Sequence, residues 1–163
     1  MKLSISTLGC PDWDFARVVR EFAALKVDIE VRGIDGEMEA ERIARFAPGR
    51  AEETKALFAR HGLSLVGFGT SCRFHDPLQM EENVRAAERA IDVCARMGIP
   101  WIRVFGNDIP DPSRMAETAA AVCQGLKRAC AYGASRGVGV NLEVHGDFNT
   151  RQALKLVADE MAD

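Results

Sequence analysis

The residues best placed to do chemistry are Asn141, Glu143 and His145, in the run Asn141-Leu142-Glu143-Val144-His145-Gly146-Asp147-Phe148. In a β-strand, residues two apart share a face, so these three side chains point together while Leu142 and Val144 point the other way, toward covering helices. A carboxylate beside an imidazole can hold a divalent cation or move a proton. The same Glu143 can instead be structural, paired with Arg103 on the preceding strand. Asn107-Asp108 follows that strand and is positioned for polar contacts with a substrate.

Other constellations are weaker. Gly67-Phe68-Gly69-Thr70-Ser71-Cys72 begins like a dinucleotide fingerprint, but it lacks the third glycine and does not lead directly into a helix. Gly137-Val138-Gly139 precedes its strand, so neither run is a phosphate loop; the first is better read as glycines leaving room for a ligand at a strand end. Cys72-Arg73-Phe74-His75 sets a thiol near an imidazole, but residues three apart in a loop need not face each other, and no catalytic pair is expected. No serine sits in a G-x-S-x-G elbow. His61 closes a helix and reads as a solvated cation at its C-terminus.

These residues must be positioned by a repeated strand–helix unit. Alternation predicts strands over Lys2–Leu8, Asp28–Gly33, Leu63–Gly69, Trp101–Phe105 and Val138–Val144. Asp12 or Asp14 can cap a first helix whose stripe is Phe15, Val18, Val19, Phe22 and Leu25. A short helix is expected near Met38–Phe46, then helices near Ala51–Arg60, Leu78–Met97, Ser113–Tyr132 and from Thr150 onward. His61-Gly62 and Gly98 with Pro100 are helix stops. No Asn-Gly hairpin turn separates the strands, which favours a parallel sheet with right-handed crossovers.

Two architectures accept five parallel βα units: a doubly wound sheet, or part of an eight-stranded barrel. Helices cover both faces of a doubly wound sheet, so its strands read as continuous apolar runs. Here one face is apolar, and the other carries Ser4, Ser6, Asp28, Glu30, Arg32, Arg103, Asn141, Glu143 and His145. That pattern predicts an α/β fold, a (β/α)8 TIM barrel, incomplete in this chain. Asn141, Glu143 and His145 then lie at the C-terminal end of a barrel strand, where barrel active sites form. The last helix reaches Met161-Ala162-Asp163 without a glycine cap, so the chain reads as truncated. No linker divides it, and residues 1–163 read as a single domain.

Composition removes several function classes. The 163 residues are 47% hydrophobic and periodic throughout, which excludes disorder. No apolar run approaches the roughly 18 residues of a membrane span. With 24 acids against 21 Lys and Arg, net charge −3, and no basic block, nucleic-acid binding is not expected. The five cysteines, Cys10, Cys72, Cys94, Cys123 and Cys130, are odd in number and form no C-x-x-C, so free thiols in a reducing, cytoplasmic setting are expected. Thr7-Leu8-Gly9-Cys10 lacks the apolar stretch of a signal peptide.

Taken in order, five pieces carry a resemblance: Lys2–Leu8, Val27–Gly33, the stretch Thr70-Ser71-Cys72-Arg73-Phe74-His75-Asp76-Pro77 after the third strand, Trp101–Gly106, and Asn141–Phe148. Together the chain resembles the xylose isomerase-like barrel superfamily, the sugar and sugar phosphate isomerase/epimerase group, over the first five of its eight βα units. The resemblance implies that Glu143 is a metal ligand and a catalytic acid/base, acting next to a ketose carbonyl through an enediolate. It implies a divalent metal (Mn, Mg, Co or Zn), with an Asp, a His and a second Glu supplied from the sixth to eighth strands, which this chain does not contain. Metal binding here is therefore expected to be weak or absent, and the chain alone inactive. His145, Arg103, Asn107, Ser71 and His75 are the expected contacts to a small carbohydrate. Endonuclease IV-type enzymes share the fold, but want histidines on both the third- and fourth-strand loops, where this chain offers Asn107 on the fourth. Open sheet edges make a homo-oligomer an expected partner. The alternative is a non-catalytic, five-stranded doubly wound module that binds a ligand or another protein.

Overall fold

The computed structural model describes residues 3–162. Five strands, β1 (Ser4–Ser6), β2 (Asp28–Val31), β3 (Leu65–Arg73), β4 (Trp101–Asn107) and β5 (Gly139–Gly146), alternate with five helices. The helices are α1 (Phe15–Leu25), α2 (Ala51–Arg60), α3 (Met80–Met97), α4 (Met115–Ala134) and α5 (Arg151–Ala162). The strands form one sheet in the order β1-β2-β3-β4-β5, every pairing parallel. A sequential parallel order is that of a barrel wall, and it excludes the doubly wound alternative, in which the order reverses at the first strand. The sheet is a curled half-barrel.

Local sequence explains where the elements start and stop. Of the two candidate caps, Asp14 serves α1, its carboxylate accepting from the Arg17 N–H at 2.7 Å. Gly98, at φ +71, closes α3 in the left-handed conformation that glycine reaches without strain. The expected helix over Met38–Phe46 is instead two short 3₁₀ turns, Ala40–Arg42 and Ala44–Phe46, separated by extended Ile43. Ala40, Ile43 and Phe46 are all buried, so every third residue faces the core, the spacing of a 3₁₀ turn and not of an α-helix. Asp35-Gly36, both at positive φ, turn the chain between bridged Ile34 and Glu37. This one tight reversal was readable from its Asp-Gly pair.

Burial follows the alternation. Ile29, Val31, Phe68, Ile102 and Val104 are buried with α1, α3 and α4 residues in one apolar cluster. On the opposite face Ser4, Glu30, Gly67, Trp101, Arg103, Asn141 and Glu143 line a groove of about 350 Å³. β3 and β4 run further than alternation alone predicts. Arg73 still pairs with Phe105, and the Phe74 N–H donates to the Phe105 carbonyl, so residues 70–73 are strand, not loop.

The edges are exposed. Among the described residues β1 pairs only with β2 and β5 only with β4. Leu3 is 60% and Val144 57% exposed, so Val144 faces away from the groove as expected but is not covered by a helix. Bare strand edges beside apolar side chains template further pairing. The chain is therefore expected to self-associate at micromolar concentration; sedimentation that returns a stable monomer would contradict this.

Candidate functional site

Strand register builds the site. In the parallel ladder Gly69 stands beside Arg103 and Phe105 beside Glu143. Arg103 Nε lies 2.6 Å from Glu143 Oε2. Arg103 Nη1 donates to the Thr70 carbonyl at 2.9 Å, and the Thr70 hydroxyl donates back to the Arg103 carbonyl at 2.8 Å. One guanidinium thus ties β3, β4 and β5 together. Glu143 accepts no hydrogen bond from the described residues; the ion pair with Arg103 places its carboxylate, which keeps acceptor capacity for a ligand or a proton.

Phe105 organises the mouth side of this pair. The Arg103 guanidinium lies 4.2 Å from its ring centroid, and the His145 ring packs on it at 4.9 Å with a 60° tilt. His145 is therefore held near Glu143 through an aromatic neighbour. Sequence reasoning passed over Phe105, although period-two alternation from Arg103 places it on the groove face.

Gly67 lines the groove as a residue leaving room there would, but Gly69 has a different use from the one expected. A Cβ on Gly69 would come within 2.7 Å of Arg103 Nη2 and 2.8 Å of both Glu30 Oε1 and Arg32 Cδ. The space is filled by this chain's own charged side chains, not reserved for a ligand. Ser71 lies within β3, and its hydroxyl accepts from Arg32 Nη2 at 2.8 Å. Arg32 in turn is fixed through its backbone N–H, which donates to the buried Thr7 hydroxyl at 2.8 Å.

Two expected contacts sit apart. His75 Nε2 is 3.7 Å from Asp108 Oδ2, and the imidazole lines a separate cavity of about 490 Å³ with Asp111, Arg114 and Thr118. It is not brought into the groove with Glu143. Asn107 ends β4 at φ +75, and its side chain bonds to none of the described residues. The loop after it is set by Asp147, whose carboxylate accepts from the Ile109 N–H at 2.9 Å, and by buried Phe148, whose ring needs the space a Cβ on Gly106 would take.

Cys72 makes no pair with His75. Its side chain is buried on the helix side of β3, and burial, only partly offset by the Thr70 hydrogen bond, pushes the thiol up to about 11. Roughly one thousandth of it is thiolate near pH 8. Iodoacetamide is expected to spare Cys72 and Cys94 in the folded chain while labelling the less buried Cys10 sooner; peptide mass spectrometry that found Cys72 labelled first would refute the assignment.

Among the described residues no three His, Cys, Asp or Glu side chains come together as a metal site. Glu143 and His145 alone do not make a coordination sphere, and Arg103 already occupies Glu143 Oε2. The residues of this chain do not by themselves fit a divalent ion.

Comparison with known proteins agrees with this geometry. The family model described as xylose isomerase-like TIM barrel matches residues 24–160. The chain belongs to the xylose isomerase-like TIM-barrel family. Solved members of similar fold include an IOLI protein with a bound zinc atom, at TM-score 0.80 and 13% identity, covering 100% of this chain and 60% of that one. The probable 3-DHS dehydratase AsbF of Bacillus anthracis, involved in petrobactin synthesis, has TM-score 0.77 and 15% identity, again over 100% and 60%. D-allulose 3-epimerase from Methylomonas sp., in complex with D-allulose, has TM-score 0.73 and 21% identity over 99% and 59%. At these identities the likeness is one of fold. The chain spans about 60% of the length of these three structures. No curated protein matches it. Among the described residues no helix is long and apolar enough to cross a membrane.

Proposed function

We propose that this chain forms the first five strands of a sugar or sugar phosphate isomerase or epimerase that moves a proton on the carbon next to a ketose carbonyl. The observation that supports it most is Glu143, in the C-terminal half of the fifth strand and lining the groove, its carboxylate paired with Arg103 and accepting no hydrogen bond from the described residues. Held this way, the carboxylate takes a proton from the neighbouring carbon and the substrate becomes an enediolate. Returning the proton to the adjacent carbon gives the isomer; delivery to the opposite face, from an acid across the groove, gives the epimer. Arg103 fixes the direction of approach, and His145 on Phe105 offers a hydrogen bond to a substrate hydroxyl. A divalent ion would polarise the carbonyl and hydroxyl, but only with donors beyond the two this chain supplies. The partner is a small carbohydrate, in the cytoplasm.

The test is solvent exchange. A ketose incubated in D₂O with this chain completed to an eight-stranded barrel and a divalent salt should gain deuterium at the carbon beside its carbonyl, read by NMR. No incorporation across a panel of ketoses and ketose phosphates overturns the reading.

A further inference from the structure

Arg32 and Arg103 both flank Gly69, Arg103 lining the groove and Arg32 a separate cavity of about 130 Å³ with Thr7, Gly33 and Met38, but among the described residues only Arg103 has an ion-pair partner. Arg103 has Glu143; Arg32 has no ion-pair partner among the described residues. The charges of Glu39 and Glu30 act on it, but neither carboxylate forms an ion pair with it. Burial, reinforced by the positive charge of Arg103, holds the Arg32 guanidinium below its ordinary range, the direction expected of a cation lacking a counterion. Its Nη2 is spent on Ser71, and its Nη1, a buried atom of this half-buried residue, meets no acceptor among the described residues. A buried charged donor left unbonded is uncommon and calls for an explanation in the form of an absent partner. Ser71 adds a second donor: its oxygen already accepts from Arg32, so its O–H proton is free, and the residue is exposed on β3.

We propose that Arg32 and Ser71 bind an oxyanion, a phosphate or carboxylate carried by the substrate. This rests on the isomerase reading and adds that the sugar is charged. One anion oxygen accepts from Arg32 Nη1 as the guanidinium swings toward the mouth, and another accepts from the Ser71 hydroxyl. A guanidinium fork suits such planar, bidentate recognition better than an ammonium.

Equilibrium dialysis of the 163-residue chain with labelled inorganic phosphate, and separately with acetate, tests this without turnover. Saturable binding of at least one anion is expected near the millimolar range. Arg32→Gln should weaken it at least about tenfold and Arg32→Lys less, because the charge stays but the fork is lost. Ser71→Ala should weaken it by roughly threefold, and Arg85→Gln, on an exposed face of α3, should leave it unchanged. Binding of phosphate alone assigns a phosphorylated substrate, and of acetate alone a carboxylate. No saturable binding of either anion, or equal binding by Arg32→Gln, overturns the proposal. Should Arg32→Gln fail to fold by circular dichroism, Ser71→Ala decides, unchanged binding counting against. Glu143→Gln should not weaken anion binding, so failure here and failure of the proton-transfer reading are separable.

Discussion

Glu143→Gln, in this chain completed to an eight-stranded barrel, should lower solvent deuterium incorporation at the substrate carbon by at least about a hundredfold, the low end of what a positioned acid/base contributes. The amide keeps the shape of the carboxylate, but it loses the charge that pairs with Arg103 and cannot take a proton. Substrate affinity should change far less than exchange rate, because the lost group acts on the reacting proton. Exchange at the parental rate would make Glu143 simply the counterion of Arg103, and the isomerase reading would lose its principal residue. The two roles are compatible in space: Oε2 lies 2.6 Å from Arg103 Nε while the Glu143 side chain is still 38% exposed.

Arg103→Met should lower folding stability by about 2 kcal/mol, between the ~1 of a surface pair and the ~3–5 of a fully buried one, since Arg103 is 18% exposed and Glu143 38%. Methionine preserves the contact with Phe105 but removes both the ion pair and the bond to the Thr70 carbonyl. Urea unfolding should show the midpoint falling by roughly 1 M. Glu143→Gln alone should cost less, and the double variant should cost less than the two single changes added together, because the partners share one interaction. A parental midpoint for Arg103→Met would mean that the three-strand tie is not structural.

Much of the architecture was legible because it is a matter of short-range period. Strand alternation is set by neighbouring residues, so the dry face through Ile29, Ile102 and Val104 and the polar face through Glu30, Arg103 and Glu143 could be assigned without coordinates. Helix ends were legible for the same reason: Asp14 and Gly98 act on the turn beside them. The short helix expected near Met38 fell because Ile43 goes to the core in an extended conformation, and burial overrode helix propensity.

The candidate site was legible in part. That Glu143 and His145 share a face follows from spacing, and Arg103 could be named as a partner from its own strand phase. Their actual meeting depends on register, and so does the placement of Ser71, which pairing with β4 keeps in a strand beyond the point where its local pattern ends. Gly69 looked like room for a ligand because the side chains that fill it, Arg103, Arg32 and Glu30, come from two other strands. His75 lies in the same sequence run as Ser71, yet the turn after Arg73 carries it to Asp108 and a different cavity.

By itself the sequence determined five parallel βα units, a one-sided polar sheet, and a carboxylate facing inward near the end of the fifth strand. Only the tertiary structure decided that Arg103 neutralises Glu143 while Arg32 is left without a counterion. The reason is physical. Face and period are encoded within a few residues, whereas an ion pair is won by whichever charges the register brings within a few ångströms, and Arg32, Arg103 and Glu143 come from strands far apart in the chain.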